Sequence, residues 1–296
     1  MNKFVNYVKA VWYADVYVPL HYCWFSHQLK VMGGVETVDK IINDHVSMSR
    51  FGDYEYMSLR QESNNFNRAT PELAARLHEV LNTPIPNHIV CIPHGFVRVK
   101  DDRKKARIFW KYFVAQNGEF ILQETPRHRI YYDTNFTRFW MDNRKKDRKE
   151  RAAYINHFRQ IWSNRNLLIV EGNDSRFGVG DDFLDNSTSV RRILCPSTDA
   201  FLKYEEIHDE IKAHARKDDL ILLALGATAT VLAYDLAKEG FQALDIGHAD
   251  IEYCWFMMDA REKVPVSGKA VNEVGINHAG NNEDIAYQSQ IIVKIS

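Results

Sequence analysis

Residues 220–246 constrain the fold more than any other stretch of the chain. Residues 220–225 (LILLAL) form an uninterrupted apolar run, the pattern of a parallel strand covered on both faces. Gly226, Ala227 and Thr228 turn the chain, residues 229–238 have helical composition, and Gly240 stops that helix. Residues 242–246 (QALDI) read as the next strand. Strand, helix and strand in this order make a βαβ unit and imply an α/β domain with a mainly parallel sheet flanked by helices. Ligands in such sheets bind beyond the carboxyl ends of the strands, so the residues after 225 and 246 are where chemistry is sought first.

The remaining pattern agrees with this layout. Helices are expected over residues 35–45, over 73–81 behind the start signal Thr70-Pro71-Glu72, over about 142–164 and near 204–216. Short buried strands are expected at 89–92, at 167–170 ending in Glu171-Gly172, and at 193–195. The closing IIVKI suits an edge strand. With 296 residues, 45% of them hydrophobic, there is material for a substantial core. No linker or repeat divides it, so residues 36–296 are expected to form a single domain. Residues 1–35 are an aromatic-rich segment packed on it. Within that segment, residues 11–25 are too short, and too interrupted by Asp15, Pro19 and His21, to span a bilayer. Their Trp and Tyr side chains would suit peripheral contact with the inner face of a membrane.

Charge narrows the function classes. A net charge of −1 gives no global attraction to nucleic acid. The runs KDDRKKAR (100–107) and DNRKKDRKER (142–151) interleave acids with bases. They read as solvated helix faces, or as surfaces for anionic lipid or a phosphate-bearing acceptor. Four cysteines without CxxC spacing suit reduced thiols and a cytoplasmic location.

Five segments could carry chemistry. In RFGDYE (50–55), an extended backbone would turn Asp53 and Glu55 to one side, offering two carboxylates to Mg²⁺ or Mn²⁺. The turn from Gly226 to Thr230 could cradle an anion with backbone N–H groups, threonine hydroxyls and a helix N-terminus. It matches neither GxGxxG nor a Walker A sequence. DIGHADIEY (245–253) places Asp245, His248, Asp250 and Glu252 after a strand. His248 could meet phosphate or metal or carry a proton, and Asp250 or Glu252 could act as general base. The loop EGNDSRFGVGDD (171–182) offers Arg176 for a bidentate phosphate contact. Residues 134–138 (TNFTR) mix hydrogen-bonding and aromatic groups that would suit a sugar or nucleobase.

SRFGDYEY (49–56), VEGNDSRFGVGDD (170–182) and LALGATATVLAYDLAKEGFQALDIGHADIEY (223–253) together resemble the GT-D glycosyltransferase family, once catalogued as a bacterial domain of unknown function. The likeness covers roughly residues 36–260. It implies a Rossmann-like fold, a UDP-sugar donor and a divalent metal held through a DxE motif, which maps onto Asp53 and Glu55. It also implies transfer of glucose or another hexose to a surface glycan, glycolipid or glycoprotein. Arg50, Gly52, Gly226, Ala227, Thr228, Thr230 and Asp245, with Arg176, then line the nucleotide-sugar site, and His248, Asp250 and Glu252 become the catalytic candidates. Three residues depart from the family pattern: Tyr54 replaces Gly, Ala227 replaces Pro, and Cys254 replaces a Glu of the Glu-Tyr-Glu-Trp pattern. The last leaves the base open between Asp250 and Glu252. Alternatives are a Rossmann-type methyltransferase or dehydrogenase, and a sugar-nucleotide-binding scaffold without turnover.

Overall fold

The computed structural model describes residues 9–63, 68–280 and 284–296. Nine strands form one sheet: β1 (Lys30–Val31), β2 (Ser47–Arg50), β3 (His88–Ile92), β4 (Ile130–Asp133), β5 (Asn166–Gly172), β6 (Ser189–Cys195), β7 (Leu220–Ala224), β8 (Gln242–Asp245) and β9 (Ile291–Lys294). Their spatial order is β1-β4-β3-β2-β8-β7-β5-β6-β9, and every pairing is parallel. β3 and β7 are buried along their whole length, as strands covered on both faces must be.

The helices are α1 (Val18–Phe25), α2 (Gly34–Asp44), α3 (Asp53–Leu59), α4 (Pro71–Asn82), α5 (Lys104–Glu124), α6 (Arg148–Phe158), α7 (Tyr204–His214), α8 (Ala227–Lys238), α9 (Ala249–Met257) and α10 (Ile285–Gln290). α4 starts as its sequence suggests: Pro71 takes the first helical position, and the Thr70 hydroxyl accepts from Leu73 N at 3.1 Å. Gly240 ends α8 with φ +84°. The helix expected over 142–164 is shorter. Asp147 caps α6 by accepting from Glu150 N, and 3₁₀ turn Arg159–Trp162 follows its end. Residues 142–144 instead pair with 101–103 through Arg103 N to Asp142 O and Arg144 N to Asp101 O, both 2.8 Å. The long α5, together with β2, β4, α3 and α9, goes beyond the elements expected from the sequence.

α1 packs on α5 beside the sheet. Tyr22 donates to Gly95 O at 2.9 Å, and the Phe25 ring meets Phe96 edge-on. Residues 30–31 already belong to the sheet, pairing with β4 at its edge. Residues 1–8 of the aromatic-rich segment lie outside the described residues. Among the described residues no helix is long and apolar enough to cross a membrane.

Candidate functional site

β2 and β8 lie side by side, although 195 residues separate Arg50 from Asp245 at their carboxyl ends. From β2 the chain builds outward through β3 and β4, while β7, β5, β6 and β9 extend the other way. Such a switch point opens a crevice above the strand ends, because the loops on either side diverge.

Arg50 spans that crevice. Its Nε and Nη2 donate to Asp245 Oδ1 at 3.1 and 2.9 Å, and Nη1 donates to Thr137 Oγ1 at 2.9 Å. The Thr230 hydroxyl lies 3.0 Å from Arg50 O and 3.2 Å from Asp245 Oδ2. Burial pushes the Asp245 carboxyl above its ordinary value against the pull of Arg50 and Thr230. Gly247, at φ +53°, makes room for this arrangement: a Cβ there would stand 2.0 Å from Arg50 Nη2.

Asp53 and Glu55 do not lie on an extended strand. Gly52 is the N-cap of α3, and Glu55 turns back to accept from Gly52 N at 2.7 Å, half of a capping box. Helical positions two apart point about 200° around the axis from each other, so the pair does not share a face as an extended segment would provide. Their charges remain coupled to the crevice. Burial, followed by the nearby Asp245 and Asp53, pushes Glu55 up to about 7. Burial likewise raises Asp53, with Arg138 and Lys263 pulling against it. Carboxylate oxygens are the donors that a hard cation such as Mg²⁺ or Mn²⁺ prefers. No group of three His, Cys, Asp or Glu among the described residues is arranged to hold a metal alone.

At the neighbouring turn, Gly226 is exposed at φ +54° and opens α8. Ala227 and Thr228 point into the protein, and Thr228 Oγ1 has no hydrogen-bond partner among the described residues. What this turn offers a ligand is therefore backbone. Thr230 is turned toward Arg50 and Asp245.

The three catalytic candidates differ in access. Asp250 is fully buried and accepts from Lys269 Nζ at 2.7 Å and Gly178 N at 3.2 Å. Glu252 is fully buried as well; its Oε2 accepts from Trp140 N and Met141 N at 2.8 and 2.7 Å. Burial pushes Glu252 up to about 7, although Arg138 stands 3.9 Å from its other oxygen. His248 alone of the three is partly open; its Nδ1, like Asp250 Oδ1 and Glu252 Oε1, is a buried atom without a hydrogen-bond partner among the described residues.

Arg176 departs from the expected phosphate contact. It is buried at φ +52°, and its guanidinium donates to the carbonyls of Gly268, Ala279 and Gly280, pinning the late loop. Cys254 sits 3.4 Å from Asp181 Oδ2, beside the Lys269 ammonium that joins Asp181 to Asp250. Burial pushes its thiol up to about 12.

Two further residues complete the rim. Arg138 donates to Glu273 Oε1 at 2.7 Å. Burial opposes the Glu273 charge, but Arg138, then His248 and Lys263, hold its carboxyl down to about 2. Arg138 belongs to a segment flagged by its sequence. Glu273 carries no local signal, because its partners lie far away along the chain.

A sequence model described as Glycosyltransferase GT-D fold matches residues 48–274. The chain is 35% identical over 273 residues to a probable glycosyl transferase Gly of Streptococcus gordonii, covering 92% of this chain. It is 36% identical over 269 residues to glycosyltransferase GlyD of Streptococcus pneumoniae serotype 4, covering 90% of this chain. The chain spans only 39% and 33% of the lengths of these two relatives. A solved structure of the highly conserved domain of unknown function 1792, described as having a distinct glycosyltransferase fold, superposes with a TM-score of 0.88 at 33% identity. It covers 94% of this chain and 100% of that one. A second, described as a new glycosyltransferase from Streptococcus sanguinis, gives 0.84 at 36% identity, with 91% and 100% covered.

Proposed function

Because the chain belongs to the GT-D glycosyltransferase family, we propose that it moves a hexose, glucose foremost, from a UDP-sugar to a bacterial surface glycan, glycolipid or glycoprotein. The observation that carries this reading is the cluster at the ends of β2 and β8, where the strand order switches. There Arg50 is locked to Asp245 and Thr137, with Gly247 at φ +53° making room for it, Gly52 capping α3 and Gly226 opening α8 at φ +54°. Glycines let a diphosphate approach the backbone closely, and the N-terminal N–H groups of α8 favour its charge.

Asp53 and Glu55 are the residues that would hold a divalent metal, which when bound neutralises charge on the departing nucleoside diphosphate. Arg50 fixes the geometry of this wall through its three hydrogen bonds. The acceptor hydroxyl must lose its proton to a group it can reach. Asp250 is committed to Lys269 and Glu252 to two backbone N–H groups. His248 is the one of the three whose side chain is partly open, and we assign it the acceptor proton. Displacement assisted by one base, with no protein nucleophile, inverts the anomeric carbon.

Thermal stability measured with UDP-glucose, UDP-galactose, UDP-N-acetylglucosamine and UDP, each with Mn²⁺ and with a chelator, tests this. Stabilisation by the UDP compounds only with metal is expected, with UDP-glucose giving the largest shift. No shift with any of them would remove the UDP-sugar reading. Binding with no transfer to any acceptor would leave a sugar-nucleotide-binding scaffold.

A further inference from the structure

Residues 9–25 form one helical segment, wound as a π-helix over Tyr13–Tyr17 and continuing as α1. Its inner side is closed to water: Val18, Tyr22 and Phe25 are buried, and Phe25 lies against Phe96 and against Gly118 of α5. Its outer side is apolar as well. Trp12, Leu20 and Trp24 are each half exposed or more, and Val16 only a little less. They fall at every fourth residue. Four residues overshoot an α-helical turn by about 40°, and the wider π-turn takes some of this back, so the four side chains run in one line along the outer face. A helix that is apolar on both sides needs apolar cover on both, and among the described residues this line has none.

Cations adjoin the line. The Tyr13 and Tyr112 rings are 6.1 Å apart and His21 lies against Gly118, so the segment and α5 run side by side in the same direction. The first two turns of α5 therefore sit beside the start of the line, and they add the exposed Ile108 and Phe109 to it. Over residues 9–25 and 103–118 the chain carries six cations, Lys9, Arg103, Lys104, Lys105, Arg107 and Lys111, against one acid, Asp15. The acids just before α5 belong elsewhere: Asp102 is buried against His94, and Asp101 lines a separate cleft that His94 and Asp133 also line. Lys104 and Lys105 are exposed in the first turn of α5, where no acid balances them. Positive charge at a helix N-terminus opposes the macrodipole, so this placement weakens α5 unless an anionic surface faces it.

The two features together select the occupant. A second copy of the chain would bring its own cations onto these, because a two-fold contact sets a patch against itself. The line is the convex ridge of one helix, with no groove to receive an extended chain. Tryptophan and leucine beside lysine is the make-up of helices that lie in the headgroup region of a bilayer, and the segment is too short to span one.

We propose that the outer face of residues 9–25, with the first two turns of α5, docks on an anionic lipid bilayer. Trp12, Val16, Leu20 and Trp24 enter the boundary between headgroups and acyl chains, while Lys104 and Lys105 meet lipid phosphates. None of these residues belongs to the cluster at Arg50 and Asp245, so the inference stands apart from the donor and acceptor assigned above.

The test sediments the full chain with vesicles of phosphatidylcholine alone and of phosphatidylcholine mixed with phosphatidylglycerol. The wild type should bind the anionic vesicles far more tightly than the neutral ones, with tryptophan emission moving to the blue, and should let go as salt is raised. Lys104→Ser with Lys105→Ser should weaken binding roughly thirtyfold, at about fivefold for each cation. Trp12→Ser, Leu20→Ser and Trp24→Ser together should weaken it about tenfold or more through lost apolar burial. All five side chains are exposed, so both variants should melt with the wild type. If the triple variant melts early, the lysine variant and the neutral vesicles still decide the matter. The proposal fails if the wild type ignores anionic vesicles, or if it binds both compositions equally and the lysine variant does the same. It also fails if the wild type sediments without vesicles as a dimer that the triple variant splits, which would give the line to a second copy.

Discussion

Arg50 is a side chain with one possible job. Its fork is filled by Asp245 and Thr137, and both Arg50 and Asp245 are mostly withdrawn from water. Arg50→Ala leaves Asp245 buried without its partner, a loss of about 3 kcal/mol in denaturant unfolding, and donor stabilisation should vanish with it. Glu252 gives a pH signature. Its folded value is about 7 against an ordinary 4.5, so between those values the folded chain keeps a proton that the unfolded chain has released. Stability therefore falls as pH rises through that window. Glu252→Gln can still accept from Trp140 N and Met141 N. It should gain on the wild type by about 3 kcal/mol above pH 7 and by almost nothing below pH 4.5. A gap that does not change with pH would remove the raised carboxyl from the account. His248→Gln should cut transfer about a hundredfold while donor stabilisation remains, if it takes the acceptor proton. At this scale the sequence was partly legible. Arg50 and Asp245 meet at the ends of β2 and β8, and Asp53 and Glu55 follow β2 directly, because each follows or ends a strand. Arg176 looked equally suitable, but its carbonyl partners at 268, 279 and 280 could not be read from its neighbours along the chain.

Among elements, those buried on both faces were legible and those bound by tertiary contact were not. β3 and β7 are written as unbroken apolar runs, and Thr70-Pro71 and Gly240 mark helix ends by their own chemistry. α3 was missed because Asp53 and Glu55 read equally well as an extended pair; Glu55 decides the matter by capping Gly52. α5 was missed for another reason. It begins in a basic run, carries Gly118 inside, and owes its place to α1, whose His21 and Phe25 lie against that glycine. A Cβ at 118 would meet His21 Cε1 at 2.7 Å. Gly118→Val should therefore destabilise the fold by about 1–3 kcal/mol by forcing α1 off α5, the cost of overpacking a close approach. Thermal unfolding checks it, and a melting temperature equal to wild type would show that α1 is loosely held.

For the whole molecule, the central pairing is the most distant one. β2 is held on one side by β3 and on the other by β8, so the sheet is continuous only once residues near 245 are present. A fragment ending at residue 219 lacks both β7 and β8, which separate β2 from β5. Its far-UV and NMR spectra should show no native sheet, and a folded fragment would mean that the β1-β4-β3-β2 half stands alone. The same feature has a consequence in time. A ribosome adds about 5–20 residues each second, so roughly 10–40 s pass between the making of Arg50 and of Asp245. For that interval the newborn β2 has an open flank and no partner for its arginine. The crevice in which sugar chemistry is proposed is thus among the last parts of the molecule to form, and until then the growing chain needs shelter from its neighbours.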